Sequence, residues 1–99
     1  MGNRYNFINN LDEYISLMWY KSAHNFKLRF AAVQTTDNSW NFIDTKGKLL
    51  SEEWFEEVTD FGYNVYIDGR YFAGYAGVKM KNDPAWYKIN MNGNISNIR

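Results

Sequence analysis

The chain has 99 residues, the length of one domain, and at this size only about two-thirds of the unfolded surface is buried, so the core must be dense in large side chains. Four Trp, eight Tyr and seven Phe supply them. The lack of cysteine excludes disulfides, thiolate metal sites and cysteine nucleophiles, and eleven basic against eleven acidic residues leave no positive field for neutralising phosphates, which argues against nucleic acid as a partner.

In chain order, the opening Met1-Gly2-Asn3-Arg4 carries no apolar segment of the export type, and no run of eighteen apolar residues follows. The expectation is a cytoplasmic protein without a membrane span. Tyr5-Asn6-Phe7-Ile8 then recurs as Trp40-Asn41-Phe42-Ile43, and from Tyr5 to Phe26 six positions are identical at a constant offset of 35, among them Ser16/Ser51, Trp19/Trp54 and Phe26/Phe61. Beyond this the register slips by ten, aligning Phe30-Ala31-Ala32-Val33 with Tyr75-Ala76-Gly77-Val78, and a third, partial copy opens at Trp86-Tyr87-Lys88-Ile89. The reading is one domain, 1–99, with copies at 5–39, 40–85 and 86–99, the second carrying an inserted hairpin at about 62–74.

Within each copy the local signals are β. Asp44-Thr45-Lys46-Gly47 and Asn90-Met91-Asn92-Gly93 are turns between short apolar runs, with Gly where positive φ is needed, and Asn9-Asn10-Leu11-Asp12 stands in the same place in the first copy. Ser51 as an N-cap followed by Glu52 and Glu53 predicts one short helix or 3₁₀ turn at 51–57. Pro84 suits a connecting turn. The fold class expected is therefore mostly β: a small repeat-built antiparallel domain of short hairpins with that single helical turn. Aromatics that recur between copies (Tyr5, Trp40 and Trp86; Trp19 and Trp54; Phe26 and Phe61) are expected to share a packing layer.

Catalytic and metal chemistry finds little support. His24 is the sole histidine, with Asp12 or Asp37 as a conceivable partner. Glu53 and Glu57 would share a face if their segment were helical, yet Glu52, Glu53, Glu56, Glu57 and Asp60 read better as a solvated acidic face. Asn90 to Asn94 resembles part of a calcium loop without its closing Glu. No enzyme activity, cofactor or metal is expected. The inserted segment is different: Asp68-Gly69 lies between Tyr63-Asn64-Val65-Tyr66-Ile67 and Arg70-Tyr71-Phe72, a strong hairpin signal loaded with hot-spot residue types. Tyr63, Tyr66, Asp68, Arg70 and Tyr71 are the candidate binding residues, with capping of the sheet as the competing role for this hairpin.

Lined up in this way, Trp40, Phe42, Ile43, Asp44, Gly47, Trp54, Phe61, Ala76 and Val78 make the chain resemble the WG-repeat family, over nearly its whole length apart from the insertion. The Gly that follows the leading aromatic in that family is Asn6, Asn41 and Tyr87 here, and its Pro-rich step is Ser51-Glu52-Glu53. The resemblance implies β-rich repeat modules with interaction roles in bacteria and their phages, and no catalytic residues. The expected function is a non-catalytic protein–protein interaction module of bacterial or phage origin. Its size and thirteen Asn residues fit a small phage-encoded inhibitor of a bacterial defence system, an anti-CRISPR or similar protein. The alternative is a small-ligand or nucleotide-sequestering protein, with stacked Tyr rings and Arg70 on a phosphate. The partial third copy is expected either to fold back and close the sheet or to pair with a second molecule as a homodimer.

Overall fold

Turn chemistry sets the frame of the structure. A computed structural model of the chain describes residues 4–8, 11, 13–15 and 19–98, and every regular element within them is a strand. In order these are β1 (Ser22–Ala23), β2 (Ala31–Gln34), β3 (Trp40–Ile43), β4 (Glu57–Val58), β5 (Val65–Ile67), β6 (Arg70–Phe72), β7 (Tyr75–Lys79), β8 (Trp86–Asn90) and β9 (Ile95–Asn97). They form three antiparallel sheets ordered β1-β2-β3, β4-β7-β8-β9 and β5-β6. The molecule measures 42 × 27 × 19 Å.

The turns follow from side chains that hold the local backbone. Asp44 Oδ1 accepts from the amides of Lys46 and Lys48 at 2.8 and 2.9 Å, and Gly47 takes φ 83°. Asn90 Oδ1 accepts from Asn92 and Asn94 at 2.9 and 3.0 Å, with Gly93 at φ 88°. An Asx side chain closing its own turn, followed by a residue free to enter the left-handed region, is a self-sufficient hairpin device. The corresponding turn residues Asn9, Asn10 and Asp12 lie outside the described residues.

Backbone pairing recurs with the spacing seen in the sequence. Tyr5 bridges Tyr20 and Ile8 bridges Tyr14; 35 residues on, Trp40 bridges Phe55 and Ile43 bridges Leu49. Lys27 bridges Phe30 across the two-residue turn Leu28-Arg29, while the equivalent Gly62 and Tyr75 bridge across twelve residues that contain β5 and β6. The partial third segment folds back, β9 pairing with β8 from Tyr87↔Asn97 to Ile89↔Ile95.

The core lies in three clusters. Ala32, Phe42, Phe55, Phe61, Ala76, Val78 and Ile89 make the largest; Tyr20, Ala31, Val33 and Ile43 the second; Val65, Ile67 and Ile98 the third. The recurring aromatics divide unevenly among these. Phe61 is buried, Trp40, Trp54, Trp86 and Phe26 are half-buried, and Tyr5 and Trp19 are 45% and 43% exposed. Trp40 packs against the largest cluster, which holds Phe61, Phe42 and Phe55, and Trp54 and Phe26 pack against the second, which holds Tyr20.

The helical turn expected at 51–57 does not form. Ser51 Oγ does accept from the Glu53 amide at 3.0 Å, as an N-cap would. However, buried Asn41 donates from Nδ2 to the carbonyls of Ser51 (2.9 Å) and Glu53 (3.2 Å), and the Phe55 amide donates to Trp40 O at 2.8 Å. Those are the acceptors and the donor that a first helical turn would need. The segment is a bend that leads into β4.

Candidate binding surface

The inserted residues form the hairpin β5–β6, turned at Asp68 (φ 47°) and Gly69 (φ 93°), a pair of positive φ values whose twist matches that of the strands. Its two faces have opposite fates. Ile67, 1% exposed, and Val65, 9% exposed, join Ile98 beneath it, with Phe72 and Trp86 packed alongside. The backbone of β7 lies close beneath it: a Cβ at Gly77 would stand 3.1 Å from Ile67 Cγ1 and 3.2 Å from Thr59 Cγ2, a tight fit. Arg70 shares the inward face, and its Nη1 donates to Ile98 O at 3.2 Å, tying the hairpin to the segment after β9.

The outward face is aromatic. Tyr66 and Tyr71 are directly paired across the hairpin, with ring centroids 5.1 Å apart in an edge-to-face arrangement. They are 58% and 65% exposed, and Tyr63 at the base of the hairpin is 79% exposed. Asp68 is exposed at the tip, and lines a cleft of about 360 Å³ with Ala85, Trp86, Tyr87, Asn97 and Ile98. On its other side, a smaller cleft of about 260 Å³ is lined by Thr59, Tyr66, Ile67, Asp68 and Trp86. All five residues singled out in the sequence are exposed, and Arg70 in addition makes an anchoring bond to Ile98 O.

No family model matches the chain, and no curated protein or solved structure matches it either.

The remaining candidates are placed as follows. His24 Nδ1 lies 2.7 Å from Asp60 Oδ1, both side chains being about two-fifths exposed, so its partner is neither Asp12, outside the described residues, nor Asp37. The imidazole also lies 5.1 Å from the Trp40 ring, which makes the pair a clasp between the first and second sheets. Glu53 and Glu57 share no helix face; Glu57 sits on β4 and pairs with Lys79 at 3.5 Å. Among the described residues no three His, Asp or Glu side chains gather as metal ligands. Sequence reasoning missed Trp86, which lines both clefts, and Gly77, whose only signal was a Gly where the first copy has Ala32.

Proposed function

We propose that this protein is a non-catalytic binding module whose partner is another protein, and that the outward face of the β5–β6 hairpin makes the contact. The observation that carries the reading is the division of labour in that hairpin. Ile67 and Val65 anchor it while Tyr63, Tyr66 and Tyr71 present three largely solvent-exposed rings on a rigid support. A tyrosine held in place on a hairpin gives large contact area for little lost rotamer freedom, which is why such residues dominate binding hot spots.

The resemblance to WG-repeat proteins supports an interaction role, and the two departures from that pattern meet in space. Asn41, in place of the Gly, secures Ser51 and Glu53, in place of the Pro-rich step. The small size and the Asn-rich sequence suit a phage-encoded inhibitor of a bacterial defence system. The alternative, small-ligand capture, draws on the cleft beside Asp68 and Trp86. Its phosphate version sits poorly with Asp68 in the lining and with Arg70 engaged at Ile98 O.

Affinity capture from bacterial lysate with the parent protein and with Tyr66→Ala/Tyr71→Ala is the test. The expected result is a partner held by the parent and weakened by about 2 kcal/mol or more in the double variant, at an unchanged melting temperature. A partner held equally by both would move the contact elsewhere, with Glu52, Glu53, Glu56 and Glu57 next to be replaced.

A further inference from the structure

A second cleft lies away from the hairpin face. About 490 Å³ in volume, it opens between the β2–β3 connection and the bend before β4, and is lined by Thr35, Thr36, Asp37, Ser39, Trp54 and Lys81. Trp54 packs against the second core cluster and lines the cleft with the remainder of its ring, so the indole is a fixed apolar platform. Around it the polar groups alternate in kind. Thr35 Oγ1 donates to Asp37 Oδ1, and Lys81 Nζ donates to the hydroxyl of Ser39, which is 4% exposed. No ion pair joins Asp37 to Lys81 among the described residues; the carboxylate, which also draws on Ser39 and on the Lys81 charge, can accept further bonds, and the ammonium has N–H donors beyond the one given to Ser39. The loop that carries them is held by its own backbone, the Thr35 amide donating to Ser39 O at 2.9 Å and the Asn38 amide to Thr35 O at 3.0 Å.

This lining has one positive and one negative charge, the hydroxyls of Thr35, Thr36 and Ser39, and a single aromatic platform. A free phosphate or carboxylate gains little from Lys81 with Asp37 beside it, and an apolar ligand would strand the polar rim unpaired. The chemistry that satisfies both is a neutral ring with one C–H face and a rim of hydroxyls, each able to donate and accept. We propose that the cleft is a carbohydrate-binding site for a neutral hexopyranose, laid with its C–H face on Trp54 and its hydroxyls bonded to Asp37, Lys81 and Thr35. The pre-set loop lowers the ordering cost of binding. The proposal is independent of the hairpin reading and uses none of its residues.

The test is a ¹⁵N–¹H titration of the full chain with methyl β-D-glucopyranoside, followed by sodium phosphate in a separate sample. The expected result is a saturable shift, with a millimolar dissociation constant, of the Trp54 indole N–H and of the amides at 35–39 and 81. It is lost in Asp37→Asn and in Trp54→Ala, and kept in Tyr66→Ala. Asp37→Asn is an exposed change that leaves the core untouched, so its loss of binding stands even if Trp54→Ala fails to fold. Absence of a saturable shift with the glycoside, a response to phosphate instead, or full retention in Asp37→Asn would each overturn the assignment.

Discussion

Asn41 shows how much a single side chain settles in this molecule. It is wholly buried, it accepts from the Phe42 amide at 2.7 Å, and its amide nitrogen serves two carbonyls of the following loop. Asn41→Ala removes the partner of the buried Phe42 amide and of two part-buried loop carbonyls. The expected cost is about 1–3 kcal/mol, read as a shift of the urea midpoint. Gly93 tests a different constraint: besides its φ of 88°, a Cβ there would stand 2.7 Å from Leu50 O, whereas at Gly69, φ 93°, nothing lies within 4 Å. Both Gly→Ala changes carry the backbone penalty of about 1 kcal/mol, and Gly93→Ala adds a backbone collision, so its thermal midpoint should fall clearly further than that of Gly69→Ala. Asp37 supplies a pH dependence. The hydrogen bond from the Thr35 hydroxyl, foremost, holds its carboxyl below the ordinary aspartate range. A depressed pKa in the fold stabilises the protein above the unfolded value, and that contribution is lost as pH falls through the folded one. Thr35→Val should therefore lower the neutral plateau of a stability–pH profile and leave its acid end nearly unchanged, so that the fall between the two is shallower.

Among the elements, the β5–β6 hairpin was the most legible in the sequence, because Asp68-Gly69 is a turn signal that needs nothing from the rest of the fold. The segment 51–57 was the least legible. Its N-cap signal was genuine, as the Ser51–Glu53 bond shows, but it was overruled by Asn41, ten residues upstream, which no local propensity registers. Leu28-Arg29 was equally hidden: φ values of 49° and 79° are ones that Gly or Asn would normally mark. Of the candidate site, the aromatic content of the hairpin could be read directly, and alternation of Val65, Tyr66 and Ile67 accounts for which residues face out. The anchoring of Arg70 to Ile98 depends on tertiary contact and could not be read. Substitution separates the two faces of the hairpin. Ile67→Ala empties a site that is 1% exposed and should cost about 2–5 kcal/mol in denaturant unfolding, whereas Tyr66→Ala should leave the midpoint within about 0.5 kcal/mol.

At the scale of the whole molecule, burial is least at the N-terminal end. The described N-terminal residues expose Tyr5, Ile8, Leu11, Tyr14 and Trp19, while the β7–β8 pair carries the buried Ala76, Gly77, Val78 and Ile89 at the centre of the four-stranded sheet. Native-state hydrogen exchange should therefore be slowest at Tyr87 and Ile89 and at least tenfold faster at Tyr5 and Tyr20; equal protection would mean that the sheets open as one unit. The turn Leu28-Arg29 and the twelve-residue span from Tyr63 to Gly74 leave and rejoin the sheets at corresponding bridges, Lys27↔Phe30 and Gly62↔Tyr75. That makes the position a socket in which loops of very different length are interchangeable. Transplanting residues 63–74 between Lys27 and Phe30, with Ala32→Gly to reproduce the bare backbone of Gly77, would give one molecule two tyrosine faces. If those faces bind as proposed, a partner displayed on a surface should dissociate from the two-faced molecule far more slowly than from the parent, since the second engagement occurs at the high effective concentration set by the first.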